Sequence, residues 1–103
     1  MQHKRYLISG KVQGVSYRRF AEGEALRLGI AGEARNLRDG RVEILATGPH
    51  ERLLSFEARL AVGPTHSKVS TIEKEDVPSS WITDKLEMNS FRIGSDGEAP
   101  WTW

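Results

Sequence analysis

The stretch Gly10-Lys11-Val12-Gln13-Gly14-Val15-Ser16-Tyr17-Arg18-Arg19 joins an apolar, strand-like run to a segment with helical spacing. Gly10 and Gly14, four residues apart, can each take a positive φ or let the main chain approach a ligand closely. Successive N–H groups in such a turn form a concave nest, and a helix N-terminus behind it adds partial positive charge. Arg18 or Arg19 then supplies a bidentate fork suited to phosphate or carboxylate. The same spacing also describes an ordinary strand-to-helix loop with solvated arginines, and it is not the Walker pattern. Spacing alone leaves both readings open.

Upstream, Tyr6, Leu7 and Ile8 read as a first strand ending at Gly10. Downstream, Phe20, Ala21, Ala25 and Leu28 recur at helical spacing, with Ser16 as N-cap and Gly29 as terminator. Ala31 to Leu37 and Val42 to Thr47 alternate as two strands around the tight turn Arg38-Asp39-Gly40. Pro49 suits the first turn of a second helix, in which Leu53, Phe56 and Leu60 form an apolar stripe widened by Leu54 and Ala61. Gly63-Pro64 ends it. Ser67 to Lys74 is a polar strand whose imperfect alternation predicts a bulge or an edge position. Asp76 to Ser90 is expected to be mostly loop, Phe91 and Ile93 a short final strand, and Gly94 to Trp103 a polar tail. In the order strand-helix-strand-strand-helix-strand, each half, residues 1–48 and 49–103, reads as part of one split βαβ pattern. It predicts an α+β sandwich, an antiparallel sheet with both helices on one face, as a single domain over 1–103.

Composition narrows the function classes. A chain of 103 residues can bury one core without staples, and the absence of cysteine excludes disulfides and thiolate chemistry. Fifteen basic against fourteen acidic residues leave a net charge of +1, too balanced for a bulk-electrostatic binder of nucleic acid. Met1-Gln2-His3-Lys4-Arg5 leads into a strand rather than a signal core, and no stretch approaches the roughly 20 apolar residues of a membrane span. A soluble, cytoplasmic, monomeric protein with no nucleic-acid or membrane partner is expected. His3, His50 and His66 show no metal-ligand spacing, so neither metal nor cofactor is expected. Glu22 and Glu24 point to different sides of a helix and read as solvated, while capping is the expected role of Ser16 rather than nucleophilic attack. The tryptophans Trp81, Trp101 and Trp103 are expected to dock onto the body of the protein.

Gly10-Lys11-Val12-Gln13-Gly14-Val15 with Tyr17 and Arg18 resembles the signature of the acylphosphatase family, and Gly32, Asn36 and Asp39-Gly40 followed by Val42 and Glu43 resemble its second motif. Gly48-Pro49 and Gly63-Pro64 match further landmarks, and the resemblance covers about residues 4–93. It implies a ferredoxin-like βαββαβ sandwich. It also implies that a small acyl phosphate binds through the loop of Val12, Gln13, Gly14, Val15, Ser16 and Tyr17, with Arg18 on the phosphate and Asn36 holding the attacking water. The implied reaction cleaves a carboxyl–phosphate anhydride without a metal. The family's aromatic pair is Ser16-Tyr17 here, its tryptophan after the second-motif glycine is Glu33, and the tail from Gly94 runs past the usual end. The departures at Ser16 and Glu33 motivate an alternative, a non-catalytic module that binds phosphate or acyl phosphate. An RNA-binding reading, open because RNA-recognition modules share a ferredoxin-like sheet, is disfavoured by the lack of an aromatic platform on adjacent strands and by the nearly balanced charge.

Overall fold

Alternation along the strands sorts the side chains into two faces, and the helices cover one of them. The computed structural model describes residues 1–80 and 90–102. Its elements run β1 (Gln2–Lys11), α1 (Tyr17–Leu28), β2 (Ala31–Asn36), β3 (Val42–Gly48), α2 (His50–Val62), β4 (Lys68–Asp76) and β5 (Phe91–Ile93). Tyr6 and Ile8 of β1, Ala34 of β2 and Val42, Ile44 and Ala46 of β3 form one cluster with Ala21 and Ala25 of α1 and Leu53, Phe56 and Leu60 of α2. Full burial of each large apolar side chain stabilises the fold by about 1.5–3 kcal/mol. The α2 stripe is narrower than its sequence suggests, because Leu54 and Ala61 are exposed.

The strand order is β4-β1-β3-β2-β5 in one five-stranded sheet. The pairs β4·β1, β1·β3 and β3·β2 are antiparallel. Both crossovers therefore skip a strand, which is the ferredoxin-like arrangement. The expectation of a purely antiparallel sheet is corrected at one edge: β5 joins β2 in parallel, Gly32 opposite Phe91 and Ala34 opposite Ile93. A three-residue strand carries no periodic signal of direction, so sequence could not supply it. At the other edge, β4 shows both predicted irregularities. It is terminal, and Ser9 faces Thr71 while Gly10 faces Val69, which leaves Ser70 as an extra residue.

The end residues explain the turns. Gly29 closes α1 by donating its N–H to the carbonyls of Ala25 and Leu26. Pro49 takes the N-cap position of α2 with an extended backbone, one residue before the first turn expected of it. Glu24, read from sequence as solvated, instead ties the two helices: it accepts from Arg59 Nε at 2.7 Å and from Arg27 Nη2 at 3.2 Å. Trp101 docks on the outer face of the sheet as expected, whereas Trp81, Trp103 and part of the Asp76–Ser90 loop lie outside the described residues.

Candidate active site

Between β1 and α1 the backbone takes two left-handed residues, Gly14 (φ 72°) and Ser16 (φ 64°), on either side of Val15. That alternation turns successive N–H groups toward one side of the chain. Gly10, the partner of Gly14 in the sequence pattern, does something else. Its φ is 126°, and a Cβ there would collide with the backbone of Lys68 and Ser70, so it admits the β4 strand rather than a ligand.

Ser16 occupies the N-cap position of α1, but its hydroxyl makes no capping bond. The expected side-chain cap is corrected: such a cap is made from an extended backbone, which Ser16 does not have. Its carbonyl instead accepts from Phe20 N–H at 3.0 Å. Tyr17, Arg18 and Arg19 then hold the first positions of the helix, whose N–H groups have no intrahelical acceptor. Among the described residues no acceptor takes the N–H of any residue from 14 to 19, and the first turn carries no acidic side chain. The helix start is thus an open, unneutralised cluster of donors.

A cleft of about 330 Å³ beside this helix start is lined by Val12, Gly14, Ser16, Tyr17, Arg18, Arg19, Asn36 and Ile93. Both arginines that spacing left open reach it, Arg18 half-buried and Arg19 exposed. Asn36 closes β2 opposite Val42, and its carboxamide makes no bond to other described residues. Gln13 and Val15 do not line this cleft. The Gln13 carboxamide donates to the carbonyls of Leu37 and Arg41 at 2.8 and 2.9 Å, bracing the loop against the hairpin that carries Asn36. Val15 lines a neighbouring cavity with Pro64 and His66. Tyr17 is buried and donates its hydroxyl to the Leu60 carbonyl at 2.6 Å; burial raises its pKa well above the usual phenol value. Tyr17 therefore lines the cleft as a core-packed, un-ionised phenol.

The hairpin is itself held tightly. Asp39 accepts from Arg41 Nη2 at 2.7 Å and from the Arg41 N–H at 3.1 Å, and this pairing keeps its carboxyl below the usual range. Among the described residues no three His, Asp or Glu side chains are grouped to hold a metal ion. Sequence reasoning did not foresee Ile93 in the wall, nor the tail against Arg18, whose Nη1 lies 3.4 Å from the Gly94 carbonyl and 3.4 Å from Asp96 Oδ1. The only available signal was that the tail is too polar to be core.

Comparison with known proteins adds a second line of argument. The acylphosphatase family model matches residues 4–93. An acylphosphatase of Solibacter usitatus is 47% identical over 90 residues, covering 87% of this chain and 88% of the relative. One from Koribacter versatilis is 44% identical over 90 residues, covering 87% and 77% respectively. The crystal structure of acylphosphatase from Bacillus subtilis superposes with a TM-score of 0.82 at 39% identity, covering 91% of this chain and 99% of that one.

Proposed function

This chain belongs to the acylphosphatase family, and from that membership we propose that it hydrolyses carboxyl–phosphate anhydrides to a carboxylate and inorganic phosphate, without a metal. The observation that carries the reading is the uncapped start of α1, with Arg18 and Asn36 on the same cleft. The loop Val12–Arg18 binds the phosphoryl oxygens through its amides, Arg18 adds a fixed positive charge, and Asn36 orients water toward phosphorus.

Phosphoryl transfer passes through a loose transition state, so positioning and charge stabilisation carry most of the catalysis. One preorganised donor is typically worth about 3 kcal/mol of barrier. The leaving carboxylate is the conjugate base of an acid with pKa about 4, so it departs without a general acid. Asn36 cannot take a proton from water; its carboxamide oxygen accepts a hydrogen bond and aims the lone pair, and the phosphate itself receives the proton. An alkyl phosphate monoester would have to expel a far more basic alkoxide, so it is a poor substrate for these groups. The proposed setting is a cytoplasmic monomer acting on a small acyl phosphate.

Hydrolysis of benzoyl phosphate with EDTA present tests the reading. The parent turns over, and Arg18→Gln and Asn36→Ala each lose at least about 100-fold in kcat/KM. A folded parent that binds phosphate without turnover means a binding module instead, and activity surviving both substitutions rejects the assigned residues.

A further inference from the structure

The segment 94–97 lies beyond the family match, yet it contacts both residues given chemical roles. Arg18 Nη1 lies 3.4 Å from the Gly94 carbonyl and forms an ion pair with Asp96 Oδ1 at 3.4 Å. The Gly97 N–H donates to the Asn36 carbonyl at 2.9 Å. Two further backbone bonds fix the segment beside the end of β2, Gly94 N–H to the Ala34 carbonyl at 2.8 Å and Arg38 N–H to the Gly97 carbonyl at 2.9 Å. Farther along, Trp101 donates its N–H to Glu43 at 2.9 Å, and the Arg35 guanidinium stacks 3.7 Å from the Trp101 ring centroid. The tail is therefore anchored on both sides of the point where it meets Arg18.

We propose that Asp96, with the Gly94 carbonyl, is a positioning clamp for the Arg18 guanidinium. The inference rests on the hydrolytic reading of Arg18 above. Both clamp contacts fall on Nη1, which leaves Nε and Nη2 to fork two phosphoryl oxygens. An arginine on a loop-proximal helix turn loses much rotamer freedom when it grips an anion. A clamp on one nitrogen removes part of that freedom before the anion arrives. Asp96 is 74% exposed at its side chain and Arg18 31%, so the pair is solvent-screened and its effect is a modest one.

The test measures kcat, KM and the inhibition constant of inorganic phosphate with benzoyl phosphate as substrate, for the parent, Asp96→Ala, Asp96→Asn, Asp96→Glu and Arg18→Gln. Asp96→Ala and Asp96→Asn are expected to raise KM and the phosphate inhibition constant together, about three- to fivefold, with Asp96→Glu recovering part of the loss. A merely structural role lowers the active fraction and leaves both constants unmoved. Unchanged constants overturn the clamp. Constants that fall overturn it too, since they mean that Asp96 competes with the anion. The isosteric Asp96→Asn keeps the test valid should Asp96→Ala unfold, as read by thermal melting. If Arg18→Gln retains parental activity, the role given to Arg18 fails on its own, whatever Asp96 does.

Discussion

Gly10 and Gly14 look alike in sequence and do different work. Gly14 needs its backbone angle and nothing else, because a Cβ there would meet open space. Gly10 needs both its angle and its lack of a side chain, since β4 passes against it. Gly14→Ala is therefore expected to cost about 1 kcal/mol in urea unfolding. Gly10→Ala combines the same angle with overpacking against backbone and should cost about 3 kcal/mol or more. Equal losses would contradict the distinction. At this scale the sequence was partly legible. The glycines announced a special loop, but Ser16 did not announce a left-handed backbone, because serine has no preference that marks it.

At the scale of elements, the helices were legible because burial imposes a period on them. Ala21, Ala25, Leu53, Phe56 and Leu60 are buried where spacing puts them. The tie between the helices was not legible, since Glu24 and Arg59 are distant in the chain and Glu24 alone reads as solvated. Arg27, and then Arg59, hold the Glu24 carboxyl below its ordinary pKa of 4.5. A carboxyl depressed in the folded state stabilises above the unfolded value, and the contribution disappears as pH falls through the folded one. Its partners are half-exposed, so the contribution at pH 7 is about 0.5–1 kcal/mol. Glu24→Gln should lose that much in urea unfolding at pH 7 and almost nothing against the parent at about pH 2. A constant difference at both pH values would contradict the assignment. The direction of β5 escaped prediction for the opposite reason, because three residues have no period to read.

Across the whole molecule, the two faces of the sheet obey different rules. The helix-covered face follows alternation, and the sequence displayed it. The other face carries Glu43, fully buried although alternation assigns it to solvent. It accepts from Arg5 Nη1 at 3.3 Å, Arg35 Nε at 3.0 Å and the Trp101 N–H at 2.9 Å. Those charges are covered because the tail lies over them, and tail docking is a tertiary fact that no local pattern encodes. The same docking brings Gly94 and Asp96 to Arg18, joining the outer face to the rim of the cleft. The candidate site itself was legible through two motifs far apart in the chain, which the fold brings together by setting the loop after β1 beside the end of β2. On the proposed function, the open amides of residues 14–19 are an anion cradle. Titrating the uniformly ¹⁵N-labelled protein with inorganic phosphate and following its amide resonances tests this most directly. Saturable shifts concentrated on residues 14–19 and the Arg18 side chain, weakened in Arg18→Gln, are the predicted result; saturable shifts elsewhere that leave those amides unmoved would contradict it.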